Sequence, residues 1–403
     1  MKLVMVGPYP EPDRIVSGGV ERVIDTLLPE LRGQVALTLV VPGASRDAEC
    51  EQHSIRTIYL RRGSGPGALA YWTADARRVA RLVYTLKPDL VHLQGVAGVG
   101  RLISGPRILT VHGIGHRDFV TSRHGALWNR AARYGMAQVM RTVEASARRQ
   151  IGNVIVINPY VVEALPDIGS LTQFPIPNPI DRVFCGALPP GSQRRPRRIV
   201  SVGRIGRRKN TGHAVLLSAR LLQGDQTAAY AALGPADDEA LLAECKAIAA
   251  GNHMAGRIEF PGGISSEKLR SELDHSSVLL MTSRQETAPV AIVEAHARGV
   301  AVVAPQFFGI KHMIDPGRNG FFLPDGDIDA QLSVLRRALD HDWDRARIAA
   351  EAQAIHAPRR IAQLTYAAYR AVLGRDKQHG ESFPSGGRPE LEPIMAGEQA
   401  ALQ

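Results

Sequence analysis

Two glutamates, Glu286 and Glu294, stand eight positions apart just after an apolar run, Val278-Leu279-Leu280-Met281. The run reads as a buried parallel strand. The chain then turns through Ser283-Arg284-Gln285-Glu286 and enters a helix, with Thr287 as the expected N-cap and Pro289 in the first turn, where a missing N–H costs nothing. Arg298 in the last turn and Gly299 just past it match the preferences of a helix end. The helix N-terminus therefore lies at the C-terminal end of a strand, where open α/β sheets bind anionic ligands. At about 1.5 Å rise per residue, Glu294 lies about 10 Å along the axis from Glu286. Between them the N–H groups of Ala288, Val290 and Ala291 face outwards. Carboxylates accept hydrogen bonds from hydroxyls and repel phosphate. The matching ligand has hydroxyls at both ends and phosphate between them, which is the layout of a nucleotide-sugar.

Other candidate groups lie far from these two acids in sequence. Gly18-Gly19 precedes a helix with Val20, Val23, Ile24, Leu27 and Leu28 on one face, and paired glycines let backbone approach a phosphate closely. His112 ends the apolar stretch Leu109-Thr110-Val111, with His116 and Asp118 following. A metal site there is disfavoured, because Gly113 and Gly115 break the helical spacing such sites use. His112 is then either a structural histidine or part of an active-site wall. Gly95, Gly98 and Gly100 present a dinucleotide-type spacing in reverse and lack the downstream acid. Asp325-Gly326-Asp327 falls in a late loop and is read as structural.

The elements that must position these groups alternate. Strands are expected at Lys2 to Val6, Ala36 to Val41, Ile55 to Leu60, Asp89 to Leu93, Arg107 to His112 and Asn153 to Ile157, with helices between them, such as Ala68 to Leu86 and Trp128 to Gln150. The apolar face of the second helix, with Tyr134, Met136 and Val143, is expected to pack on the sheet. The pattern resumes after a Pro-, Gly- and Arg-rich stretch, 188–198, read as a linker. The fold class is therefore α/β, with two doubly wound Rossmann-like domains: 1–187 and 199–358. A helix over 359–375 crosses back to the first domain, and a disordered tail covers 376–403.

Composition agrees with this. A chain of 403 residues, 44% hydrophobic, is long enough for two ordinary domains. No run approaches the roughly 20 apolar residues of a membrane span. Three distant cysteines suggest no disulfide framework, and a cytoplasmic setting follows. Net charge is +10, with more of the excess before Asp181 than after it. This suits an anionic membrane surface carrying a lipid-linked acceptor. Nucleic acid is disfavoured because no binding motif accompanies the charge.

Taken in order, Gly18-Gly19-Val20-Glu21-Arg22, Pro177-Asn178-Pro179-Ile180-Asp181, Gly203-Arg204 with Lys209, and Glu286 with Glu294 followed by Ala-His-Ala-Arg-Gly resemble retaining glycosyltransferase family 4. The resemblance implies the GT-B fold, with a cleft between twin domains. It implies transfer of a sugar from a nucleoside-diphosphate sugar to a saccharide or lipid-linked acceptor hydroxyl, with retention of configuration and no metal or cofactor. By resemblance, Arg204 and Lys209 grip the diphosphate, which gains charge as it leaves. Glu286 holds sugar hydroxyls, Glu294 the ribose diol, and His112 lines the sugar pocket. Gly18, Gly19, Ala288, Pro289 and Val290 complete the donor side. Phe308 and His312 depart from the family pattern, which carries Gly and Glu at those places. The rival readings are an epimerase or hydrolase of nucleotide-sugars and a non-catalytic binding protein.

Overall fold

Continuous apolar runs flanked by glycine and proline become parallel strands, and the strands divide into two sheets. The computed structural model describes residues 1–16, 18–63, 71–121, 127–189, 197–254 and 256–374. The first sheet contains β1 Lys2–Val6, β2 Ala36–Ala44, β3 Ala48–Gln52, β4 Ile55–Arg61, β5 Leu90–Gln94, β6 Arg107–Val111, β7 Asn153–Val156 and β8 Thr172–Pro175. Its order is β3-β4-β2-β1-β5-β6-β7-β8, parallel except for the β3–β4 pair. The second sheet contains β9 Arg198–Val202, β10 Ala229–Leu233, β11 Ile258–Gly262, β12 Val278–Leu280, β13 Ala301–Pro305 and β14 Gly320–Leu323. Its order is β11-β10-β9-β12-β13-β14, parallel throughout. Both orders reverse beside their first strand, so each sheet has a switch point where loops part and a ligand can enter.

The hand-over between domains differs from the expected boundary. Ile180 and Phe184 are fully buried in the core of the second domain, although they precede the linker stretch. The backbone N–H of Ile180 donates to the His356 carbonyl at 3.0 Å, and His356 Nδ1 bonds the Asn178 carbonyl at 2.7 Å. At the far end of that stretch, Arg198 already belongs to β9 and is buried between Glu259 and Glu272, at 2.9 and 2.8 Å. The linker residues 190–196, the first part of the helix expected from Ala68, and the tail beyond 374 lie outside the described residues.

The last helix, Pro358–Val372, returns to the first domain. Ile361, Ala362, Ala368 and Tyr369 join that domain's core. Its polar anchor is Tyr369, whose hydroxyl lies 2.6 Å from His92 Nδ1, while His92 Nε2 lies 2.7 Å from Thr110 Oγ1. Replacing Tyr369 with phenylalanine keeps the ring and leaves His92 short of one partner. The expected loss is about 1–3 kcal/mol in denaturant unfolding. A variant as stable as the parent would show that apolar contacts alone dock the helix.

Buried histidines make the fold acid-sensitive. Burial pushes His92 down to about 3, helped by the nearby His112, and pushes His296 down to about 4 against the bond to the Asn319 carbonyl. An unfolded histidine titrates near 6.5. Below that value the unfolded chain binds protons that the folded chain refuses, so stability is full above about pH 6.5 and falls as pH drops towards 4. The melting temperature should therefore decline from pH 7 to pH 5. A flat profile would contradict the neutral burial of these rings.

Candidate active site

The strand-loop-helix unit that carries the two acids forms as expected, with a shifted start. β12 ends at Leu280, and the helix runs Val290–Ala297 with Pro289 as its N-cap. Thr287 is therefore not the cap, and Ala288 lies in the loop. The cause is close packing: a Cβ on Gly309 would fall 1.5 Å from the Thr287 carbonyl oxygen, so Gly309 brings a neighbouring turn onto the loop, and the chain bends at Thr287 and Ala288 before the helix starts. The Gly309 N–H donates to the Glu286 carbonyl at 3.1 Å, and Asn178 Nδ2 donates to the Ala288 carbonyl at 3.0 Å. The amides of Val290 and Ala291 open the helix and have no intrahelical acceptor. Gly299 closes it at φ +66°, the left-handed conformation glycine adopts without strain.

Glu286 is buried, and Lys209 Nζ lies 2.5 Å from its Oε1. Burial works to raise this carboxyl, but the charges of Lys209 and Arg208 and the bond from Lys209 outweigh it and hold the group below the usual range. Lys209 reaches it from the loop after β9, which is stitched to the Glu286 loop. The Arg284 N–H donates to the Arg208 carbonyl at 2.9 Å, and Thr282 Oγ1 donates to the Asn210 carbonyl at 3.0 Å. Gly203, at φ +135°, lets the lysine stem fold back over it: a Cβ there would lie 3.2 Å from Lys209 Cε.

Arg204 and Lys209 line one small cleft, of about 20 Å3, but they do not act on the same acid. Arg204 Nε donates to Asp237, and the side chain is half exposed. The second base beside Glu286 is Arg208, whose Nη1 lies 3.7 Å from Glu286 Oε2 and donates to the Gln285 carbonyl at 3.0 Å. Sequence reasoning passed over Arg208, although it adjoins Lys209 in a run of three bases.

Glu294 has a partner from the other domain. Arg22, on the helix Gly19–Leu31, places Nη1 2.5 Å from Glu294 Oε1, while Glu294 Oε2 is buried with no hydrogen-bond partner among the described residues. Burial raises this carboxyl despite the arginine. Arg22 belongs to the Gly18-Gly19-Val20-Glu21-Arg22 stretch, yet its type alone did not single it out. The Gly18 N–H is taken up by Glu21 Oε2 at 2.9 Å, closing a local cap, whereas a Cβ on Gly19 would meet open space. Gly18 is thus committed to its own helix, and Gly19 leaves room for a ligand.

His112 stands at the end of β6 with Nε2 2.7 Å from Gln94 Oε1. Burial pushes it down to about 4, so it is neutral. It lines a cavity of about 540 Å3 in the first domain, beside Gln94, Asp118 and Glu144, and Asp118 in turn lies near enough to Lys209 and Glu286 to feel their charge. Among the described residues no group of three or more His, Cys, Asp or Glu is placed to hold a metal. Asp327 accepts from the N–H groups of Asp329 and Ala330 and caps the helix that follows, the structural role expected of it.

The departures from the family pattern bridge the domains. The Phe308 ring lies 5.6 Å from the Tyr160 ring, and the residue holds φ +54°, where glycine would be unstrained. Lys311 and His312 both reach Glu163, at 2.7 and 2.9 Å. Where the family has Gly and Glu, this chain has an interdomain contact.

Two family models match in tandem. Glycosyltransferase Family 4 matches residues 17–184, and Glycosyl transferases group 1 matches residues 189–355. The chain belongs to the glycosyltransferases of GT-B fold. Curated relatives include the amylovoran biosynthesis glycosyltransferase AmsK of Erwinia amylovora, 29% identical over 40% of each chain. Another is the 2-deoxystreptamine N-acetyl-D-glucosaminyltransferase of Streptomyces fradiae, 26% identical over 70% of each. The match thus spans well under half the length of AmsK. Among solved structures, sucrose-phosphate synthase of Thermosynechococcus elongatus superposes with TM-score 0.74 at 18% identity, covering 93% of this chain and 99% of that one. Anabaena HepE in complex with UDP superposes with TM-score 0.70 at 18% identity, covering 92% and 100%. At such identities the likeness is one of fold.

Proposed function

We propose that the protein transfers a glycosyl group from a nucleoside-diphosphate sugar to an acceptor hydroxyl, with retention of anomeric configuration. The observation that carries this reading is the Lys209–Glu286 pair, 2.5 Å apart at the C-terminal end of the second sheet, beside the first amides of the helix Val290–Ala297. On this reading Lys209, Arg208 and Arg204 meet the leaving diphosphate with fixed positive charge where negative charge develops. The open first-turn amides of that helix, with Pro289 before them, face the same group. Glu286 then accepts from sugar hydroxyls. Glu294 receives the ribose diol through its second oxygen, and His112 borders the sugar. A phosphate oxygen of the donor accepts the acceptor's proton in a same-face attack, so neither a metal nor a separate base is called for.

UDP is the first nucleoside diphosphate to try, because Anabaena HepE, which is similar in fold, was solved in complex with it. The acceptor is a saccharide or lipid-linked glycan in polysaccharide assembly, in keeping with the relative named for amylovoran biosynthesis. Work at the inner face of the cytoplasmic membrane would suit the helix Leu127–Ile151. Tyr134 and Met136, expected to pack on the sheet, are exposed there, with Val139 and Arg141 exposed on the same helix. Among the described residues no helix is long and apolar enough to cross a membrane. The test is incubation with a panel of labelled nucleotide-sugars and polyol acceptors, with the anomeric configuration of the product read by NMR. A product of the donor's own configuration supports the proposal. Inversion, or epimerised or hydrolysed donor without transfer, overturns it.

A further inference from the structure

We propose that Gln94 is a positioning residue: it fixes the proton of His112 on Nε2, so that the ring meets the cavity of the first domain as a hydrogen-bond acceptor at Nδ1. The group it takes there is a hydroxyl of the ligand. That this ligand is a nucleotide-sugar rests on the glycosyl-transfer reading; the place of the proton does not.

Gln94 ends β5, and His112 directly follows β6, its parallel neighbour. Two polar pairs cross between these strands. His92 Nε2 lies 2.7 Å from Thr110 Oγ1, and His112 Nε2 lies 2.7 Å from Gln94 Oε1. Both Gln94 and His112 line the cavity. Gln94 is 1% exposed, and its seat is cut to fit: a Cβ on Gly7 would lie 2.7 Å from Gln94 Cβ.

The surroundings of the amide set its direction. Its nitrogen lies 3.7 Å from Met5 Sδ. A thioether has no proton to give and accepts weakly, so it suits the NH2 end. The reversed amide would turn its oxygen to the sulfur, with no hydrogen between them. The oxygen is therefore left to His112, and a carbonyl oxygen only accepts, so the facing ring nitrogen must donate. Burial pushes His112 down to about 4, and the neutral ring has a single proton. With that proton on Nε2, Nδ1 is bare. In a neutral imidazole, the bond made by one nitrogen fixes what the other offers. Arg62, Asp75, Asp118, Glu144 and Arg148 also line the cavity, but contact at Nε2 decides the proton's place, and no balance of their charges is needed. A bare Nδ1 accepts from a hydroxyl and has nothing to give a carbonyl or carboxylate oxygen.

The test is 1H–15N NMR of the full chain labelled with 15N-histidine at pH 7, with the His112 ring assigned by its absence from His112→Asn. The free chain should show a protonated Nε2, its proton protected from exchange with water, and a bare Nδ1. Gln94→Leu removes the acceptor and should lose that protected proton. Gln94→Glu keeps an acceptor at Nε2 and carries the test even if Gln94→Leu does not fold. It should keep the Nε2 proton and lift the ring's midpoint from about 4 to above the ordinary 6.5, because a touching carboxylate favours the charged ring. A parent ring protonated on Nδ1, an Nε2 proton equally protected in Gln94→Leu, or a midpoint unmoved in Gln94→Glu would overturn the inference. UDP-glucose is then added to the parent. Its binding should shift the Nδ1 resonance and leave the Nε2 proton in place. Binding with Nδ1 unmoved, or with the Nε2 proton lost, would also overturn the inference. If no nucleotide-sugar binds, the donor reading fails, while the spectrum of the free chain still decides the place of the proton.

Discussion

Replacing Lys209 with methionine is expected to lower turnover with a matched nucleotide-sugar by about 10²–10³-fold, the usual cost of removing one fixed charge stabiliser from a transition state. Glu286→Gln should cost a similar factor, by loosening the grip on the sugar. The two groups meet at 2.5 Å, so their losses should not multiply. A double variant only modestly worse than either single one would show that they act as a unit. Arg208 lies 3.7 Å from the same carboxylate and spares Glu286 from being a lone buried charge when Lys209 is removed, so both variants should fold. Arg204→Ala should be milder, because that guanidinium is engaged by Asp237. Near-parental turnover in Lys209→Met or Glu286→Gln would remove these residues from the assigned roles.

The second large effect concerns stability and leaves the chemistry aside. Arg298 is completely buried. Its Nε donates to Asp274 at 2.6 Å, its Nη1 to the carbonyls of Phe184 and Gly186 at 3.2 and 3.1 Å, and its Nη2 to the Ala187 carbonyl at 2.9 Å. One side chain thus pins the segment between the domains to the second sheet's layer. Arg298→Met strips Asp274 and the carbonyls of Phe184 and Ala187 of their donor, while the Gly186 carbonyl keeps Gln353 Nε2 at 3.0 Å. The expected loss is about 3–5 kcal/mol, with faster proteolysis near residues 184–187. Arg298→Lys should recover only part of it, because a single ammonium cannot span four acceptors in a plane. Unfolding of Arg298→Met at the parent's denaturant midpoint would contradict this role.

Arg298 also shows what a sequence can and cannot disclose. Its place in the last turn beside Gly299 announces a helix end, but nothing local says that it reaches back more than a hundred positions to the hand-over segment. The strands were legible because parallel strands buried on both faces are continuous apolar runs, as in Val278-Leu279-Leu280. The helix start was not, because a neighbouring turn brought in by Gly309 packs on Thr287, and the chain bends at Thr287 and Ala288 before the helix begins. Glu286, Glu294 and Lys209 stood out by type and spacing. Arg22 did not, because its partner lies 272 positions away. Arg204 and Lys209 line one cleft, but nothing local announces that Asp237, 33 positions on, is the arginine's partner. Tyr134 and Met136 read as part of a face packed on the sheet, yet both meet solvent.

The proposed chemistry depends on a nucleoside diphosphate meeting Lys209 beside Glu286. Calorimetric titration of the purified chain with UDP, GDP, ADP and their sugars tests that most directly. At least one diphosphate should bind saturably at a single site, with binding sharply weakened in Lys209→Met. An absence of binding by every one, or binding unchanged by loss of Lys209, would contradict it.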